Sequence, residues 1–142
     1  CKIRIIQDRN NTLDLLLNDT HISFFFYSYP LIKKPIIVNK INIASIEDIG
    51  LMKLSAISSR GSKKDFIDLY FICKEVGLNK LLYLSKKKFY DVHDFLTTSL
   101  KSLIYFFDAD REPMPKMIIP VSWDEIKKFF IEEVRRITLG KK

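Results

Sequence analysis

The chain has 142 residues, 47% of them hydrophobic and 13% aromatic, enough for about one domain with a buried core and too apolar for a disordered segment. Its 24 Lys and Arg against 17 Asp and Glu leave a formal charge of +7, which suits nucleic acid or nucleotide phosphates as well as a merely solvated lysine-rich surface. Two cysteines, Cys1 and Cys73, exclude a disulfide framework and lack metal-ligand spacing, and no apolar run reaches the roughly 20 residues of a membrane span, so the expectation is a protein of the reducing cytoplasm with no membrane partner.

Residues 2–7, 12–17 and 22–29 are rich in β-branched and aromatic residues and predict three antiparallel strands. Asn10-Asn11 and Asn18-Asp19 suit tight hairpin connections between them. Pro30 and Pro35 bracket a loop, and 36–38 predicts a further short strand. From Ser45 the pattern becomes helical. Ser45 with Asp48 suggests an N-terminal cap, and Glu47 and Asp48 suit the positive helix end. This helix is expected to run to about Ser59 and stop at Gly61. A second, capped by Ser62 with Asp65 three residues on, should run to Val76 and end at Gly77. A short third helix is expected over 79–84 and a fourth over 88–106. Residues 108–120 hold three prolines and predict a loop with a short strand at 116–119. Ser122 with Glu125 forms a capping box for a last helix to about Thr138. Strands followed by helices give an α+β fold, divided into a β part (1–42) and a helical part (43–142).

Two costly features stand out on the first two helices. Lys53 lies among Ile49, Gly50, Leu51, Leu54 and Ile57, and Arg60 is two helical turns further on, on the same stripe. Such a stripe is either a phosphate site or a lysine whose stem snorkels over apolar neighbours. Asp65 and Asp68 share a face of the second helix. Asp65 suits the first turn and the helix dipole. Asp68 sits deeper, between Ile67 and Leu69, where that effect has faded. It either pairs with Lys53 or Arg60, or positions a phosphate-binding lysine or takes up a proton. Lys63 and Lys64 are either solvated or reach toward phosphate. The basic triplet Lys86–Lys88 reads as a solvated face or a contact to a nucleic-acid backbone, and His21 and His93 are isolated.

The string Glu47-Asp48, Lys53-Leu54-Ser55-Ala56-Ile57, Arg60-Gly61-Ser62-Lys63-Lys64-Asp65 and Asp68-Leu69-Tyr70 resembles the second signature of the AbiEii/AbiGii nucleotidyltransferase toxins, bacterial abortive-infection and toxin–antitoxin proteins related to the MenT toxins. The likeness continues through KKKF at residues 86–89 and YFFDADREPMP at 105–115. It implies a polymerase-β-like nucleotidyltransferase sheet followed by a helical domain. It further implies Mg²⁺-dependent transfer of a nucleotide from an NTP to an acceptor such as tRNA, and a cognate antitoxin as partner. By this likeness Lys53 would contact the triphosphate, Asp68 would complete the catalytic site with Asp65, and Arg60 and Lys64 would help bind phosphate.

The family's first signature, a Gly-Ser turn followed by an Asp-x-Asp pair on a strand, does not occur here; Asp14 in TLDLLL has no second Asp at that spacing. Those carboxylates hold the metal ions in such enzymes. The chain also begins with Cys1 rather than Met, and KIRII after it reads as a strand and not as a tether. The expectation is therefore the carboxyl-terminal two-thirds or so of such a protein, without metal ligands of its own and inactive in transfer by itself. A non-catalytic nucleotide- or RNA-binding remnant, or a relative that has lost catalysis, is the competing expectation.

Overall fold

The computed structural model describes residues 2–140, so Cys1 lies outside the described residues. The fold is α+β, as the order of patterns predicts, and the chain divides into two compact units, Cys1–Pro30 and Leu31–Lys142. The expected division after residue 42 thus falls inside the second unit.

The first unit is an antiparallel meander of β1 (Ile3–Arg9), β2 (Thr12–Leu17) and β3 (Thr20–Phe25). Asn10 and Asn11 both adopt positive φ, 53° and 57°, in the two-residue turn that joins Arg9 to Thr12. Asparagine tolerates this left-handed geometry, whose twist matches that of the flanking strands. The register slips between Ile5 and Gln7, a bulge in β1. The third strand ends at Phe25, four residues short of its expected end.

The second unit opens with a hairpin of β4 (Ile36–Val38) and β5 (Ile41–Ile43), turned by Asn39 and Lys40 at positive φ. Among the described residues six helices follow: α1 (Ile46–Ser59), α2 (Lys63–Val76), α3 (Leu78–Lys88), α4 (Phe95–Ser102), the single turn α5 (Phe107–Asp110) and α6 (Trp123–Thr138). The first, second and last begin and end close to where the capping residues predict. Ser45 accepts from the Asp48 amide at 3.1 Å and Ser122 from the Glu125 amide at 3.1 Å. Gly77, at φ +84°, closes α2 and leads straight into α3.

The middle of the chain departs from expectation. The third helix continues through Lys88, and the fourth is split: Phe89 ends α3, Asp94 turns the chain at φ +53°, and α4 starts only at Phe95. Phe89 and Phe95 stack with ring centroids 4.1 Å apart across this turn, an apolar contact that a continuous helix would not allow. Residues 116–119 form no strand and pair with none; Ile118 is fully exposed.

Leu51 and Leu54 of α1, Phe66 and Leu69 of α2, Leu81 of α3, and Ile126 and Phe130 of α6 are fully buried and make the core. A Cβ at Gly50 would lie 2.9 Å from the Ile72 Cγ2 methyl and 3.0 Å from Leu81, so only glycine permits α1, α2 and α3 to approach this closely. Phe66 is the aromatic centre, with Phe106, Trp123 and Phe130 rings at 5.2, 5.7 and 5.7 Å.

A fully buried ion pair is sunk in this core. Asp48 and Lys88, both fully buried, pair at 2.8 Å. The carboxylate also accepts the Ile32 and Lys33 amides at 2.9 and 3.0 Å and the Ser45 hydroxyl at 2.9 Å. Burial pushes the Asp48 carboxyl up, but Lys88 and these donors outweigh it and hold it below the ordinary carboxylate range. Asp48 stands in the first turn of α1 and pairs with Ser45 as expected, and it is also a buried anchor. One expectation is corrected: Lys88 belongs to the core rather than to a solvated or nucleic-acid-facing triplet.

Candidate functional site

The four charged residues singled out on α1 and α2 do converge. Gly61, at φ +58°, turns the chain between the helices so that Arg60 faces back to Asp65. The guanidinium forks onto that carboxylate, Nε to Oδ2 at 2.7 Å and Nη2 to Oδ1 at 3.0 Å. Lys53 reaches the same carboxylate from α1, Nζ to Oδ1 at 3.1 Å, and Ser62 donates to Oδ2 at 2.8 Å. Lys53 also pairs with Asp68 at 2.6 Å.

The two aspartates have exchanged the roles their positions suggest. Asp65 stands in the first turn of α2 as expected, but its side chain is 1% exposed and it is the hub of the network. Asp68, one turn further into α2, is 50% exposed and holds Lys53 alone. Ser62 likewise occupies the first position before α2 without bonding a free helix amide. Its proton goes to Asp65, and the Lys63 amide is capped instead by Glu112 Oε2 at 2.8 Å.

A buried carboxylate with two cationic partners is stable as the anion. Burial raises the Asp65 carboxyl, but the Arg60, Ser62 and Lys53 bonds outweigh this and hold it below its ordinary value. The Asp65 bond raises Arg60. For Lys53, burial favours the neutral amine, but Asp68 and Asp65 win and raise it. Both cations therefore stay charged at any neutral pH.

These residues line an open cleft of about 530 Å³ together with Lys64 and Glu112. Lys64 is exposed at its edge and forms no ion pair among the described residues. Lys63, which could have been a second free cation, is not one. It is buried, its ammonium donates to the Glu112 carbonyl, and it lies 5.1 Å over the Trp123 ring. Arg60 keeps Nη1 and Lys53 keeps one ammonium hydrogen beyond the bonds to Asp65 and Asp68. Asp65 thus fixes two cationic groups in one geometry while leaving donors for an incoming anion. Glu112 was legible only as part of the YFFDADREPMP string; no local spacing ties it to residues 63 or 65.

The Mg²⁺ implied by the family likeness finds no fit here. Among the described residues no three His, Cys, Asp or Glu side chains gather as a metal-holding group. Both Asp65 oxygens are already taken by Arg60, Lys53 and Ser62. Among the described residues, too, no helix is long and apolar enough to cross a membrane.

The chain is similar to aq_aa25, an uncharacterized protein of Aquifex aeolicus (strain VF5), with 41% identity over 138 residues. The match covers 94% of this chain and 65% of that protein, so the chain spans a little under two thirds of its relative's length. No model of a known protein family matches the chain, and no solved structure does.

Proposed function

We propose that the cleft between α1 and α2 grips the phosphates of a nucleotide, and that the chain is the nucleotide-binding part of a nucleotidyltransferase toxin of a bacterial toxin–antitoxin or abortive-infection system. The observation that carries this reading is the Asp65 hub. One buried carboxylate holds Lys53 and Arg60 side by side at an open cleft with Lys64 at its edge. Preset cations of this kind suit multi-oxygen anions such as phosphate. In this reading the NTP would donate its nucleotide to an acceptor such as tRNA, a cognate antitoxin would restrain the toxin, and Mg²⁺ would be held by carboxylates outside these 142 residues. Asp65 is then a positioning residue, Lys53, Arg60 and Lys64 meet phosphate, and the exposed Asp68 faces the reacting nucleotide.

The 2.6 Å Lys53–Asp68 contact favours a second reading, in which the network only ties α2 to α1. Calorimetric titration of the chain with inorganic triphosphate separates the two. Nucleotide gripping predicts saturable binding that Lys53→Ala and Arg60→Ala each weaken by about tenfold or more, with the fold retained by circular dichroism. Absence of binding, or equal binding by the folded variants, refutes it and leaves the network a tie.

A further inference from the structure

The cleft adjoins a second hollow of about 360 Å³, and Lys64 and Asp68 line both. The walls of the second hollow differ in kind from those of the first. Ile67, Phe71, Met117 and Ile119 make them, and charge is confined to Lys64, Asp68 and Lys116. Its size lies at the lower end of the roughly 300–1,000 Å³ of small-molecule sites, which are typically apolar with a few placed polar groups. A polar cleft that presents oriented cationic donors and an apolar hollow that share two residues suit one molecule with an anionic end and an apolar ring. At the junction stands Asp68, half exposed, with Oδ2 taken by Lys53 and, among the described residues, no partner at Oδ1. A carboxylate there repels phosphate and accepts hydrogen bonds from hydroxyl groups. It therefore separates the anionic end, on the Arg60 and Lys64 cations, from an uncharged middle.

We propose that the hollow receives the nucleoside end of the nucleotide, its base against Phe71 and Met117 and its ribose hydroxyls donating to Asp68. This rests on the phosphate-gripping reading above and adds base and sugar to it. These mostly hydrocarbon walls hold a base chiefly by burial and stacking, which each of the four common bases offers.

The test is titration of the whole chain with inorganic triphosphate and with ATP, GTP, CTP and UTP. Each nucleotide is expected to bind about tenfold or more tightly than inorganic triphosphate. Met117→Asp should bring nucleotide affinity down to that of inorganic triphosphate and leave the latter unchanged, which also shows that the variant is folded. Ile119→Asp, at a more exposed position of the same wall, repeats the measurement if Met117→Asp does not fold. A 2′,3′-dideoxynucleotide should bind less tightly than its ribose counterpart. Nucleotides that bind no better than inorganic triphosphate overturn the hollow while the phosphate cleft stands. A dideoxynucleotide that binds equally well overturns the Asp68 contact. If nothing binds, both readings fall together.

Discussion

Replacing Asp65 by Asn keeps the shape of the hub and removes its charge. The carboxylate receives four bonds, one from Lys53, two from Arg60 and one from Ser62. Asn retains a single carbonyl oxygen and turns an amide N–H₂ toward the two cations, so at most one or two of these bonds survive. Removing one partner of a buried ion pair costs about 3–5 kcal/mol. Here the freed cations can rehydrate, since the Arg60 side chain is 66% exposed and Lys53, 27% exposed, keeps Asp68. That places the loss at the bottom of the range, about 3 kcal/mol. Urea unfolding followed by circular dichroism at neutral pH measures it directly. The pH dependence identifies its source. A carboxyl held below its unfolded value stabilises the fold above that value, about 3.9, and this contribution is lost as pH falls through the folded pKa. The gap between wild type and Asp65→Asn should therefore close below about pH 4. Asp48 titrates in both proteins and cancels. A gap under about 1 kcal/mol at neutral pH would show that Lys53 and Arg60 are held by solvent and not by Asp65. A gap that persists unchanged in acid would mean the loss comes from packing.

Lys88→Met removes the buried cation and leaves Asp48 with the Ile32, Lys33 and Ser45 donors alone. The expected loss is about 3 kcal/mol in the same urea experiment, and a neutral result would mean that Lys88 is not paired in the core. The Cys73 thiol is 6% exposed and its pKa is pushed up to about 12, chiefly by burial with Glu133 nearby. It should stay unmodified by iodoacetamide in the native chain at mildly alkaline pH and react once urea unfolds it, as followed by peptide-resolved mass spectrometry. Rapid native labelling would place the thiol at the surface.

The parts of this fold that were legible are those written in local chemistry. Ser45, Gly61, Gly77 and Ser122 mark helix ends because caps and positive φ act within a few residues. The spacing of three puts Asp65 and Asp68 in reach of one another on α2, and the pairing of Asp68 with Lys53 was one of the legible alternatives. Arg60 lies just past the end of α1, so no helical stripe joins it to Lys53. Which aspartate is buried was not legible. That depends on how Arg60 folds back over Gly61, and a helical spacing says nothing of it. The Asp48–Lys88 pair was invisible for a plainer reason. Forty residues separate the partners, and each has a satisfactory local explanation, a helix dipole for one and a solvated basic run for the other. The split of the fourth helix follows from the same contacts. Lys88 is drawn into the core and Phe89 stacks on Phe95, so the chain must turn where helix propensity alone would continue.

The cleft has a consequence for how anything reaches it. Lys53, Arg60 and Lys64 stand there against Asp65, Asp68 and Glu112, three positive groups and three negative. Although the chain carries +7, this particular hollow is electrically neutral when empty. Its own charges add little to the long-range field of the chain and would not by themselves gather polyanions from solution. Recognition there must be short-ranged, through oriented donors at contact distance. Any highly charged guest must bring counter-ions of its own or draw Lys53 away from Asp68.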